Sequence, residues 1–383
     1  MGFLLLFCFF SLLITALGKL GSDIISSTIH VNNFGRYASC PFLSEHNYEF
    51  ACFLLDPTKG ERICSNTRTN IVDMREALPK LTNHSLLFVG DSLVRNQFVS
   101  FACLLWEADD TISTSDIDTP SERDPLPHVF SIRSPKYNLE VRQVFVGLIL
   151  DIQEKQLSAG IEHVSKLVLP KYVTELLKGT FKQAKIHNSD VPRAPTILML
   201  STGHHWDLVK YSNESLPNIR VDQNLFKVAV DRINSRLMHD KLPNQRVIWR
   251  GVPPRHYSMG EWNSGGHCDD YLPMNKTKLN NMLLSNTSSY VTVVFLSKVI
   301  EKSVNMINNK INSSGFEYLD ISTESYLRSD AQIGNTHTGF HGTNADCSHY
   351  CVPGVPDAWN TFLIDRIQKI PWRPVAPAKH PLA

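Results

Sequence analysis

Between residues 86 and 97 the chain reads LLFVGDSLVRNQ: an apolar run breaks at Gly90-Asp91-Ser92 and resumes with helical spacing. A short oxygen side chain at a strand-to-helix turn has two uses. Asp91 or Ser92 can cap the helix by accepting from its free N–H groups. Ser92 can instead be a nucleophile, held where the amides of the helix start stabilise negative charge. A serine hydroxyl is a poor nucleophile and needs a base, usually a histidine oriented by a carboxylate. The stretch NADCSHYCVPGVPDAWN, residues 344–360, places Asp346 and His349 three apart, in what reads as a loop before the final helix. That spacing lets the carboxylate reach the imidazole Nδ1 and leaves Nε2 for the serine. Cys347 and Cys351 flank the histidine, and bridges from them would hold the loop firmly, which matters because small misplacements cost orders of magnitude in rate. Singly, His349 also reads as a packed or surface histidine and Asp346 as a loop cap.

Around these three residues stand weaker candidates. The Ser92 N–H is the first donor for an oxyanion, with Gly203 or the Asn96 side chain as a second. Arg95, Arg250 and Arg255 can anchor a substrate or serve as surface ion pairs. His204, His205, Trp206 and Trp262 can line a sugar groove or fill the core. No metal motif stands out: GGHCDD (265–270) puts His and Cys side by side, and adjacent residues rarely share one metal. There is no dinucleotide or P-loop signature.

The elements that must position these residues read as alternating short apolar strands and helices. Strands are expected at 85–89, 139–150, 195–203, 245–251 and 316–320, the last of the sheet. Helices are expected at 93–106, 161–185, 221–239 and 357–369. Residues 109–128 read as a polar loop, and 31–82, rich in Cys, Asn, Pro and Thr, as an irregular segment wrapped on the main domain. Such alternation implies a parallel sheet covered on both faces, with its site at the carboxyl ends of the strands. Ser92, Ser201-Thr202-Gly203 and Arg250-Gly251 each follow an apolar run, which collects them on that edge.

The whole chain narrows the setting. At 383 residues and net charge +1 it carries no nucleic-acid footprint and no polybasic membrane patch. FLLLFCFFSLLITALG, residues 3–18, is apolar, uncharged and short for a membrane span. It reads as a signal peptide cut after Gly18, or as an uncleaved signal-anchor. Glycosylation sequons begin at Asn83, Asn213, Asn275, Asn286 and Asn312. Seven cysteines lie beyond the leader, Cys40, Cys52, Cys64, Cys103, Cys268, Cys347 and Cys351. In an oxidising lumen these read as disulfides with one left over.

Gly-Asp-Ser near one end and Asp-x-x-His near the other resemble the SGNH (GDSL) esterase superfamily. More narrowly, the chain resembles the plant trichome birefringence-like proteins, the wall-polysaccharide O-acetyltransferases. Five ordered blocks carry the likeness: VGDSLVRNQFVSFACLL, LSTGHHW, WRGVPPRHYSMGEWNSGGHC, LDISTESYLRSDAQ and DCSHYCVPGVPDAWN. The resemblance implies a three-layer α/β/α SGNH-like fold with a mostly parallel central sheet over 83–372. A disulfide-tied irregular segment (19–82) would precede it, and a tail (373–383) would follow. It implies Ser92 as nucleophile, His349 as base and Asp346 as its orienter; beside them, the residues themselves leave substrate or oxyanion contacts to be expected among Asp91, Arg95, Asn96, Gly203, His204, Trp206, Arg250 and Arg255. It pairs Cys40 with Cys103, Cys52 with Cys351 and Cys268 with Cys347. The expected activity is acetyl transfer through a serine ester to a polysaccharide or glycan hydroxyl in the secretory pathway, the Golgi above all. That activity needs no bound cofactor, but it needs an acetyl donor or a donor-supplying membrane protein. A carbohydrate acetylesterase using water, and an inert glycan-binding protein, are the rival readings. The family's extra upstream cysteine and its Gly-Arg-Pro-Asp segment are missing, which leaves Cys64 without its expected partner. Ser201 stands where the family usually has Asn.

Overall fold

Alternation within the apolar strands decides the layers. In β1 (Ser85–Gly90), Leu86 and Phe88 join one hydrophobic core while Leu87 and Val89 join another on the opposite face. The same split recurs in β5 (Ile197–Ser201), with Ile197 and Met199 against Leu198 and Leu200, and in β6 (Arg246–Arg250), with Ile248 against Val247 and Trp249. Strands apolar on both faces must be covered on both. Each fully buried Leu, Val or Phe then contributes roughly 1.5–3 kcal/mol. The computed structural model describes residues 35–44, 73–119, 129–146, 171–178, 194–204, 223–257, 266–268, 273–284, 289–311, 315–334 and 346–369.

These strands form a seven-stranded sheet in the order β2-β3-β4-β1-β5-β6-β7. The remaining members are β2 (Ile117–Asp118), β3 (Val129–Ser134), β4 (Leu139–Phe145) and β7 (Phe316–Leu319). β4, β1, β5, β6 and β7 run parallel, while β3 is antiparallel to β4 and β2 to β3. Among the described residues, four long helices supply the covers. α1 (Ser92–Ala108) and α4 (Val355–Lys369) lie over one face, α2 (Gln223–Asp240) and α3 (Ser289–Ile311) over the other. The result is the expected α/β/α architecture. Ser201 and Arg250 end their strands on the edge where β1 delivers Ser92, as the apolar runs implied.

Several local expectations change. The stretch 109–128 is not loop throughout, since Ile117–Asp118 adds a short edge strand. β4 ends at Phe145, and residues 147–150 of the expected strand lie outside the described residues. Of the helix expected at 161–185, Lys171–Leu177 is helical, and most of the rest lies outside them. Strand β3 and helix α3 went unread. α3 is rich in Val and Ile, which favours strands by propensity, yet its buried Val293, Leu296, Ile300, Val304 and Ile307 recur at helical spacing. The expected last strand, β7, is followed by a small antiparallel ladder of β8 (Gln332–Gly334) and β9 (Asp346–Tyr350).

The described parts of the upstream segment are short turns, Gly35–Ser39, Pro41–Ser44, Met74–Ala77 and Leu78–Leu81, whose Tyr37, Phe42, Leu43 and Leu78 enter the core beside α1. The Cys40–Cys103 bridge fastens it to α1 across 63 residues, and Cys268–Cys347 closes 79. Loops of this length correspond to about 4 kcal/mol in the chain-entropy model. Cys351 is also disulfide-bonded, and Cys52, its expected partner, lies outside the described residues, as does Cys64. Bridges of this kind fit a chain that folds in the oxidising secretory pathway. Among the described residues no helix is long and apolar enough to cross a membrane, and no cluster of ligands could hold a metal. The leader at 1–18 lies outside them.

Candidate functional site

Ser92 owes its place to the two residues before it. Gly90 has φ +158°, and a Cβ there would run into the Ser201 carbonyl oxygen and the Val94 side chain, so only glycine lets β1 approach β5 and α1 this closely. Asp91 then caps α1, its Oδ1 accepting from Leu93 N at 3.1 Å. Its carbonyl accepts from Val94 N at 3.0 Å and Arg95 N at 3.1 Å. The capping reading therefore holds for Asp91. It also spends the N–H groups of the three residues after Ser92 and leaves the Ser92 N–H as the first-turn donor not consumed by the cap.

The segment bearing His349 is a strand rather than a loop. Gln332 pairs with Tyr350 and Gly334 with Asp346 across a bulge. Its far side is held by His256 N donating to Cys347 O at 2.9 Å, by Tyr350 Oη donating to Pro254 O at 3.1 Å, and by the Cys268–Cys347 bridge. On the α1 side, Asn96 Nδ2 donates to Tyr350 O and Asn96 Oδ1 accepts from Tyr350 N, both at 3.0 Å. The amide thus stands in for a neighbouring strand. It lies one helical turn after Ser92 and contacts the residue after His349, so it sets the distance between them.

The outcome is a continuous chain of polar contacts. His349 Nε2 lies 2.7 Å from Ser92 Oγ, and His349 Nδ1 lies 2.7 Å from Asp346 Oδ2. The other carboxylate oxygen, Oδ1, accepts from the backbone N–H groups of Ser348 and His349, each at 3.0 Å. Burial opposes ionisation of Asp346, but the charge of His349 and these hydrogen bonds outweigh it and hold the carboxyl well below the ordinary carboxylate range. An ionised carboxylate only accepts, so Nδ1 carries the proton, and in the neutral imidazole Nε2 then accepts from the Ser92 hydroxyl. This is an arrangement in which the imidazole can take the hydroxyl proton as the oxygen attacks.

The structure places the other sequence candidates differently. Asn96 is fully buried, and its amide gives one N–H to Tyr350 O and its oxygen to Tyr350 N, so it serves the backbone of β9. Arg250 is not a substrate anchor. It is fully buried, donates to Leu93 O at 3.2 Å, Gln97 Oε1 at 2.9 Å and Ser201 Oγ at 3.2 Å, and stacks on Trp359 with Cζ 4.7 Å from the ring centre. Burial pulls its guanidinium down to about 10 while Asp91 opposes that fall, so it stays cationic at neutral pH. It ties the ends of β5 and β6 to the first turn of α1. Arg255 is buried against His204, its Nε 3.2 Å from His204 Nε2 and its Nη2 donating to the His204 carbonyl. Gly203, with φ +148°, is packed against Val252, 2.6 Å from where a Cβ would sit. Arg95 is partly buried on α1. His205, Trp206 and Trp262 lie outside the described residues, as do Asn213, Asn286 and Asn312, whereas Asn83 and Asn275 are exposed.

Sequence reasoning missed the supporting contacts. Tyr257 hydrogen-bonds Ser348 beside the Cys268–Cys347 bridge. Asp357, the buried first-turn acid of α4, accepts from Tyr37 Oη at 3.0 Å, from Ser100 Oγ and from Gly354 N at 2.9 Å. Asn360 Nδ2 donates to Gln97 O at 3.1 Å. Polar residues at 96, 97 and 100 on the inward face of an apolar helix were the available signal, because buried polar groups demand partners.

A family model described as PC-Esterase, the GDSL/SGNH-like acyl-esterase family found in Pmr5 and Cas1p, matches residues 71–366. Protein trichome birefringence-like 6 of Arabidopsis thaliana is 29 % identical over 350 residues, covering 85 % of this chain and 66 % of its own length. Trichome birefringence-like 14 and 35 of the same plant are 24 % and 26 % identical, covering 76 % and 89 % of this chain and 71 % and 75 % of themselves. This chain therefore spans about two thirds to three quarters of the length of these relatives.

Proposed function

Because the chain belongs to the PC-esterase family of GDSL/SGNH-like acyl-esterases, we propose that Ser92, His349 and Asp346 carry acetyl transfer through a serine ester. The observation that supports this most directly is the Ser92–His349–Asp346 chain, closed at 2.7 Å on both sides of the imidazole. In the first half-reaction Ser92 Oγ attacks the acetyl carbonyl of the donor while its proton passes to His349 Nε2. The Ser92 N–H, at the positive end of α1, faces the developing oxyanion. The tetrahedral intermediate collapses to acetyl-Ser92, and His349 returns the proton to the leaving group. In the second half-reaction His349 takes the proton of an acceptor hydroxyl, whose oxygen attacks the acetyl ester and releases Ser92. Asp346 holds the imidazole in the required tautomer and stabilises its charged form throughout.

The acceptor in this reading is a hydroxyl of a polysaccharide or glycan, and the setting is the Golgi lumen. The resemblance to the trichome birefringence-like family suggests the acceptor, and the disulfides and the exposed sequon residues Asn83 and Asn275 support a secretory-pathway setting. No step calls for a bound cofactor. The acetyl comes from a donor ester, or from a membrane protein that delivers one. The test is to expose the purified glycoprotein to 4-nitrophenyl acetate with a panel of polysaccharides. Acetyl on the Ser92 peptide and on polymer is expected, and Ser92→Ala should abolish both while keeping the fold. Turnover without acetyl at Ser92 refutes the covalent route, and acetate released with no polymer acetylated refutes the transferase.

A further inference from the structure

Phe145 has a position no part of the reaction above explains. In the seven-stranded sheet it is the single exposed residue among the described strand positions, with 42 % of its surface open to water. The parallel register pairs it with Gly90, two residues before Ser92, on the carboxyl edge of the sheet. Alternation along β4 settles its side. Leu139 and Val141 belong to the core under α1, and Val144 to the opposite core, so Phe145 lies on the α1 face, where Ser92 is. The backbone beneath it is fixed, by Val146 N donating to Gly90 O at 2.7 Å and by the β3 ladder pairing Val129 with Val144. The other described exposed large apolar residues, Val228, Leu242 and Met306, lie on or beside α2 and on α3, the helices that cover the opposite face.

A bulky ring exposed to water on the sheet edge that carries the nucleophile suits a ligand with an apolar face and polar edges. A pyranose is such a ligand. Its C–H face packs on the electron-rich face of an aromatic ring, while its hydroxyls stay free to bond polar groups or to react. A phenyl ring offers no hydrogen bond, so it fixes the sugar plane and leaves the choice of hydroxyl to the polar residues around it. We propose that Phe145 is the stacking platform for a pyranose ring of the acceptor glycan, next to the ring whose hydroxyl is acetylated. This deepens the acetyl-transfer reading and rests on it for the identity of the reacting hydroxyl.

The full-length glycoprotein and its Phe145→Ala and Phe145→Trp variants test this, with xylohexaose, mannohexaose and cellohexaose as probes. Saturation-transfer NMR measures binding, and the 4-nitrophenol burst from 4-nitrophenyl acetate measures acylation of Ser92. At least one hexasaccharide should bind the parent protein. Phe145→Ala should weaken that binding by about tenfold, and Phe145→Trp should restore it, with the burst unchanged in all three. The proposal is overturned if no hexasaccharide binds, if Phe145→Ala binds as the parent does, or if Phe145→Ala loses the burst as well. Failure of the acetyl-transfer reading is seen separately, as a parent protein with no burst, and the hexasaccharide titration still decides Phe145 in that event.

Discussion

Replacing Asn96 by alanine probes the joint between the nucleophile and the base. The amide makes two 3.0 Å hydrogen bonds to the backbone of Tyr350, and both residues are fully buried. Without it the Tyr350 N–H and C=O lose these two bonds in a fully buried region. Each unsatisfied group costs ~1–3 kcal/mol, so losing both bonds in Asn96→Ala should destabilise the protein by about 2–6 kcal/mol if β9 stays in place. If β9 instead shifts to recover partners, His349 moves with it and the 2.7 Å contact with Ser92 is lost. A displacement of about 1 Å at a reacting group costs on the order of a hundredfold in rate. The assay pairs a urea midpoint with kcat and KM for 4-nitrophenyl acetate. The expected pattern is a lower midpoint, a kcat reduced by up to that factor, and a KM little changed, since Asn96 touches no substrate. Asn96→Asp preserves the shape and one acceptor for Tyr350 N but turns an oxygen toward Tyr350 O, so it should fall between. An Asn96→Ala enzyme that is less stable yet retains full kcat refutes the claim that this amide sets the Ser92–His349 geometry.

Two further outcomes follow from the same structure. Burial holds the His84 imidazole, 2.9 Å from Thr196 Oγ1, at about 4 instead of 6.5. Between those values the unfolded chain binds a proton that the native one refuses, so stability falls as pH drops through this window, by roughly 3 kcal/mol in all. Urea midpoints at neutral and mildly acid pH should show that loss, and His84→Gln should flatten the slope. Cys268→Ser, in protein that still folds, should lower turnover by a factor on the order of a hundred, because the Cys268–Cys347 bridge anchors β9 two residues before His349. A folded variant with parental turnover would show the bridge to be a general staple rather than part of the site's alignment.

The order of alternating apolar strands and helices is legible because both periods are written locally. Leu86 to Val89 read as a strand buried on both faces, and Val94, Phe98, Phe101 and Leu105 as a helical stripe, from spacing alone. The turn between them is legible too, since a glycine that must admit a neighbouring strand and an acid that must cap a helix have few substitutes. Even the spacing of Asp346 and His349 is local chemistry, and it placed the carboxylate against Nδ1 as the structure does. What the sequence alone misplaced are contacts between distant segments. Asp346–Tyr350 reads as a loop because its partner, Gln332–Gly334, is a strand of three residues with no periodic signal of its own. Asn96 and Arg250 carry the side chains of substrate-binding residues, and their types hold no trace of Tyr350, Gln97 or Trp359. Whether an amide or a guanidinium faces substrate or backbone depends on which helix and strand close over it, and that is decided only when the layers pack.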